Sequence, residues 1–264
     1  MLHPLLKRSH EWEPVPFGES GDFVYRRNDN LAYAKITPPA GVADLAGERD
    51  RLLWLRGRSV ACPEVVEWNE GEEGACLVMT AIPGVSAANL SGADLLDAWP
   101  SMVQQLAILH RLSVDQCPFE RSLSQMFGRA VDVVSRGAVN SEFLPDEDKY
   151  TPQDELLARV KRELPVRLDQ ERTDLVVCHG DPCIPNFMID PDSLQCTGLI
   201  DMGRLGTADR YADLALMVAN AGESWTEPEE ADRAFAVLFK ILEINTPDHE
   251  RLDFYLRLDP LTWG

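Results

Sequence analysis

The stretch CHGDPCIPNF, residues 178–187, follows directly on the apolar run Leu175-Val176-Val177, and its reading decides the fold. The apolar run has the length and composition of a buried strand. A carboxylate, two prolines and an asparagine come straight after it, which suits a turn but also suits a site. Residues 186–189 and 195–200 then read as two further strands of the same small β segment, turned at Pro191-Asp192-Ser193. Antiparallel pairing puts Asn186, at the start of one strand, beside Asp201, at the end of the other. Asp181 lies in the loop just before. Two carboxylates and an amide oxygen thus converge, a set of hard oxygen ligands suited to Mg²⁺, while Asp181 is free to take a proton from a hydroxyl.

The order is a loop Asp, an Asn five residues on, and then Asp201-Met202-Gly203. It is the order of kinase-type phosphoryl transfer: one carboxylate as base, the Asn and the second Asp on metal. Each residue alone reads as a turn former; together, with strand, hairpin and spacing in place, they read as a site. His179 reads as a buried, hydrogen-bonded support, and Cys178, Cys183 and Cys196 as core. Arg204 fits either a phosphate contact or a salt bridge.

The first third of the chain supplies an independent check. Strands at 23–25 and 31–36 turn at Asn28-Asp29-Asn30, a helix covers 45–56, and strands at 65–68 and 76–79 turn within 69–74. Before Ile82-Pro83-Gly84-Val85 there are two lysines, Lys7 and Lys35. Lys35 sits between apolar neighbours in the second strand and needs a counter-charge, since an unpaired buried cation is costly. Glu48 on the following helix can supply it. The alternatives are a lysine snorkelling from an edge strand and a glutamate on a solvated helix face. Pro16 to Asp22 includes Ser20-Gly21 and can be a hairpin loop or a phosphate-covering one. The breaker at 82–85 divides the chain into lobes of 1–82 and 83–264. Beyond it helices dominate, at about 95–109, 119–137, 152–164, 209–221, 228–243 and 248–258. The fold class is therefore α+β and bilobal, a small β-rich lobe before a larger helical one.

The chain has 264 residues and a net charge of −19, which argues against nucleic acid as a partner. The charge is uneven: 9 Lys+Arg against 13 Asp+Glu up to residue 82, then 16 against 31. The resulting −4 and −15 suit solubility or, in the second lobe, a cationic ligand. No signal peptide and no membrane span are legible, so a cytoplasmic protein is expected. The six cysteines form no CxxC pair and read as free thiols without structural zinc. Only a few residues separate Asp201 from the next helix, which leaves no room for a peptide platform; the acceptor is expected to be a small molecule.

The block HGDPCIPNFMID…GLIDMGRLGTADRYADLALM resembles the aminoglycoside phosphotransferases. The likeness runs from FGESGDFVYRR through LVMTAIPG to FYLRLDPLTWG, nearly the whole chain, and is nearer to the branch acting on the 3''-hydroxyl of streptomycin than to the kanamycin/neomycin 3' branch. It implies a protein-kinase-like fold, ATP and Mg²⁺ as cofactors, and a cationic sugar acceptor such as streptomycin. Asp181 matches the catalytic Asp, Asn186 and Asp201 the metal ligands, and Lys35 with Glu48 the phosphate-binding pair. Ser20 and Gly21 fall in the nucleotide-positioning loop, Met79 behind the adenine, Thr80 and Ile82 in the hinge that hydrogen-bonds it. Asp259 aligns with an acidic acceptor ligand; a cap or ion pair at the end of the last helix is its alternative. A kinase for another aminoglycoside or hydroxyl metabolite, or a nucleotide-binding pseudokinase, are the rival readings.

Overall fold

The computed structural model describes residues 5–6, 11–15 and 23–264; Ser20 and Gly21 lie outside the described residues. A five-stranded antiparallel sheet forms the first part, in the order β1-β2-β3-β5-β4. Its strands are β1 (Trp12–Pro14), β2 (Phe23–Arg27), β3 (Ala32–Thr37), β4 (Val65–Gly71) and β5 (Gly74–Thr80), with helix α1 (Val42–Leu55) between β3 and β4. The two-residue alternation of a strand decides where Lys35 goes. Ala32, Ala34 and Ile36 point to one face and build a small cluster with Leu6, Cys76 and Val78. Lys35 is therefore on the other face, where α1 packs.

Strand β6 (Val85–Ser86) lies in the expected breaker, yet it is no free linker. It pairs with β8 (Phe187–Ile189), which pairs in turn with β9 (Cys196–Leu199). Thr197 Oγ1 donates to Pro83 O and Ser86 Oγ to Pro185 O at 3.0 Å, so the connection is sewn to the hairpin. Gly84 has φ +111, and a Cβ there would stand 2.3 Å from Ile189 O; no other residue type fits.

The remainder is helical: α2 (Gly92–His110), α3 (Leu123–Ser135), α4 (Gln153–Glu171), α5 (Arg210–Gly222), α6 (Pro228–Ile241) and α7 (His249–Leu258). Ser91 caps α2, its hydroxyl accepting from Asp94 N and donating to the Asp94 carboxylate. Leu95, Trp99, Met102, Leu106 and Leu109 form the buried stripe expected of α2, and Trp99 stacks edge-on against Trp225 at 5.4 Å. The main core runs without a break from Leu52 of α1 and Leu77 of β5 into α2, α5 and α7.

Two expectations are corrected. The strand before the site, β7 (Leu175–Cys178), belongs not to the hairpin but pairs antiparallel with β10 (Gly206–Asp209). That short run, GTAD, carries no hydrophobic alternation and so gives no strand signal. Helix α4 continues through Pro165 to Glu171, where the sequence reading stops at 164; a proline costs one backbone bond and a bend rather than the whole helix when packing on both sides holds it.

Behind β10 lies a buried charge cluster. Asp209, fully buried, accepts from Tyr211 N, from Arg251 Nε at 2.7 Å and from Tyr255 Oη at 2.9 Å; Arg251 also reaches Asp174 at 2.8 Å. Removing one partner of such a cluster strands a buried charge. Arg251→Leu is expected to lower the unfolding free energy by about 3–5 kcal/mol, read from urea denaturation.

Candidate active site

Lys35 Nζ lies 2.8 Å from both oxygens of Glu48 and 3.0 Å from Asp201 Oδ1. Glu48 is buried, as an acid can be only with a partner of this kind. Burial works to lower the Lys35 pKa, but the charges and hydrogen bonds of Glu48 and Asp201 outweigh it and raise the group well above the ordinary lysine value. For Asp201 burial acts upward, and Lys35, then His179 and Arg204, bring the net shift below the usual carboxylate value. Both groups stay charged at neutral pH. Asp201 has φ 62, a left-handed backbone costing of order 1–3 kcal/mol for a residue with a side chain.

The hairpin brings Asn186 to Asp201 as the sequence suggests. Phe187 pairs with Leu199, and Ile200 N donates to Asn186 O at 2.9 Å, so the residue after Ile200 sits beside Asn186. Asn186 Nδ2 donates to Asp181 O at 2.9 Å, which leaves its amide oxygen as the free end of the side chain. The half-buried Asp181 adjoins the Cys183 thiol, whose pKa is pushed far up by burial first and the Asp181 charge second.

Residues not singled out from the sequence hold this loop. Asp213 of α5, fully buried, accepts from His179 N at 2.7 Å and Gly180 N at 2.8 Å, and lies 2.9 Å from His110 Nε2 at the end of α2. Burial would raise the Asp213 carboxyl; the hydrogen bond and charge of His110, His179 and the Gly180 N–H outweigh it and depress the pKa. Arg121 Nη2 donates to Gly180 O at 2.9 Å. Gly180 itself has φ +87, and a Cβ there would meet Arg204 O at 2.3 Å. His179 is fully buried, its Nε2 3.0 Å from Ile200 O, in the supporting role expected of it. An acid within the apolar helical run YADLALM is a signal that Asp213 has a buried partner; Arg121, alone in a loop, offers no signal.

Asp259 is likewise buried. Its Oδ1 accepts from Arg204 at 2.9 Å and Arg121 at 3.3 Å, its Oδ2 from Trp263 Nε1 at 2.9 Å. Asp259 and Arg204 form an ion pair, with the Arg204 guanidinium 4.1 Å above the Trp263 ring. Met79 is buried in β5, and Thr80 ends that strand with its N–H bonded to Glu64 O. Ala81 N is bonded to Leu31 O, while Ile82 N has no partner among the described residues. Ile82 lies over Gly198, where a Cβ would stand 3.1 Å from its Cγ2.

A profile of the phosphotransferase enzyme family matches residues 11–255. The chain belongs to that family. This phosphotransferase is 50% identical over 257 residues to the streptomycin 3''-kinase of Streptomyces griseus, covering 96% of its own chain and 93% of the relative. It is 37% identical to an aminoglycoside 3'-phosphotransferase of Streptomyces fradiae, covering 95% and 94%. Among solved structures it resembles aminoglycoside phosphotransferase APH(3'')-Id of Streptomyces rimosus in complex with ADP and streptomycin: TM-score 0.90, 44% identity, 96% and 93% coverage. The fold is thus protein-kinase-like. Among the described residues no helix is long and apolar enough to cross a membrane.

The depressed Asp213 pKa has a stability consequence of definite sign. A carboxylate with folded pKa below its unfolded value, about 3.9, contributes fully above that value and loses the contribution as pH falls through the folded pKa. The unfolding free energy of this phosphotransferase is expected to decline below about pH 4. Urea titrations from neutral to acid pH should show a shallower decline for Asp213→Asn than for the unmodified chain.

Proposed function

We propose that this phosphotransferase moves the γ-phosphoryl group of ATP to the 3''-hydroxyl of streptomycin, inactivating the antibiotic. The observation that carries the chemistry is the Lys35 bridge between Glu48 and Asp201, standing beside Asn186 and the Asp181 loop. The choice of acceptor rests on 50% identity, over nearly the full length, to a streptomycin 3''-kinase.

In this reading residues 1–82 hold the nucleotide and 83–264 carry the reacting groups and the acceptor. Ser20 and Gly21 cover the phosphates. Lys35, held by Glu48, takes the α- and β-phosphate oxygens. Met79 backs the adenine, with Thr80 O and Ile82 N, which has no partner among the described residues, as its hydrogen-bonding edge. The acceptor oxygen attacks the γ-phosphorus as the bond to the ADP oxygen breaks, and Asp181 orients the hydroxyl and receives its proton.

The donor set available to a metal fits Mg²⁺: the free Asn186 amide oxygen and the half-exposed, ionised Asp201 are hard oxygens held side by side by the Ile200–Asn186 backbone bond. Asn186 and Asp201 would hold the ion, which when bound neutralises phosphate charge. With Asp201 on the ion, Lys35 would keep Glu48 as its partner.

Asp259 enters this reading as a post. With Arg121 and Arg204 it forms a group of net charge +1, a poor seat for a guanidinium but a firm support for Gly180 and Arg204 beside Asp181. The acidic second part of the chain remains a steering field for a cationic drug.

Three measurements test the proposal. ADP release with ATP, Mg²⁺ and a panel of aminoglycosides should respond to streptomycin, with the phosphate located at the 3'' oxygen by NMR, and should stop with EDTA. Asp181→Asn should lower kcat about 10²–10⁴-fold with nucleotide affinity retained. Asp259→Asn should lower Tm and kcat while the streptomycin KM stays within about threefold; a tenfold rise in KM alone would make Asp259 a direct acceptor ligand.

A further inference from the structure

Helix α1 is tied to the second part of the chain by more than the relay from Glu48 through Lys35 to Asp201. Arg51 follows Glu48 by three residues, so the two side chains leave α1 on one face. Its Nε donates to Leu205 O at 2.7 Å, its Nη1 to Gly47 O at 2.9 Å, and its guanidinium lies 4.7 Å above the Phe119 ring. One helical turn on, Trp54 Nε1 donates to Gln116 O at 3.0 Å, and its ring meets Phe119 edge-on at 6.1 Å.

Leu205 closes the tight turn that opens at Asp201. The turn spans Met202–Arg204, with Leu205 N donating to Met202 O at 3.1 Å. Lys35, anchored on α1 by Glu48, holds the near end of this turn at Asp201; Arg51 of the same helix holds the far end at Leu205. The two ties differ in what they use. Lys35 and Asp201 are the groups that phosphates and metal would claim on the reading above, on which this inference rests, so their mutual bond is released when those arrive. Arg51, Leu205 O and Phe119 meet no reacting group, and their tie persists.

We infer that Arg51 is a positioning residue for phosphoryl transfer, keeping Asp201 in register with Lys35 after the direct bond between them has been given up. The carboxylate needs such a holder because its backbone is left-handed and can relax away from that conformation when unsupported. The turn is also short, so a shift at Leu205 is passed to Asp201 within four residues. A displacement of about 1 Å at a reacting group costs on the order of 10²-fold in rate. The α1 register is thus built into the resting chain.

The test is Arg51→Met in the full chain, which keeps the stem over Phe119 and removes the donors to Leu205 and Gly47. It is assayed as ADP release with ATP, Mg²⁺ and streptomycin. The expected result is a kcat roughly 10–100-fold lower, as for other residues that orient metal ligands, and a higher Mg²⁺ concentration for half-activation. The streptomycin KM should stay within about twofold, and Arg51→Lys, with a single ammonium in place of the fork, should fall between. A kcat within about twofold of the unmodified chain, with or without a lower Tm, overturns the inference. So does a loss of calorimetric streptomycin binding in parallel with kcat, which marks a general loss of structure. If Arg51→Met yields no folded protein, Arg51→Lys decides by the same readouts, an unchanged kcat and Mg²⁺ requirement counting against the inference. Failure of the underlying reading looks different: the unmodified chain then transfers no phosphate to streptomycin at all.

Discussion

One ammonium group organises this molecule. Lys35 must stand on the α1 face of β3 because strand alternation puts Ala34 and Ile36 on the other, and its charge cannot remain there without company. Glu48 neutralises it from α1 and Asp201 from the far side of the cleft. Sheet, helix and hairpin are 13 and 166 residues apart along the chain at these contacts, yet a single nitrogen joins them. The two carboxylates and one ammonium sum to a charge of −1.

The loop carrying Asp181 depends on a second buried ion, Asp213. Its oxygens are occupied by two successive backbone N–H groups and an imidazole, so the peptide units of His179 and Gly180 have one orientation open to them. Arg121 holds the opposite side through Gly180 O. Asp181 is thus held in place by its neighbours' backbone rather than by its own side chain.

Much of this was legible in the residues. Lys35 stood out because lysine is scarce before residue 82, and Asn186 with Asp201 because a short hairpin brings its ends together whatever its sequence. The strand pairs and the α2 stripe were visible as periodicity. What escaped were contacts whose meaning lies in tertiary distance. Arg121, His110 and Asp213 come from three separate elements, and no spacing joins them. Strand β10 was hidden because its pairing with β7 stems from backbone geometry, not from hydrophobic alternation. Asp259 was legible as a carboxylate near the end of the last helix, but the two arginines that reach it are silent in a linear reading.

The strand sewn between Pro83 and Ser86 changes what it means to speak of two lobes. An ordinary linker can be cut and its halves drift apart. Here the seam runs beside a connection whose side chains and backbone both grip the hairpin, and the apolar interior crosses it without interruption. A chain nicked by protease at this point would travel as one particle through a sizing column, held by the contacts that join β6 to the hairpin. The fold behaves as a clasp already fastened, and the polypeptide link at the seam is only one of its stitches.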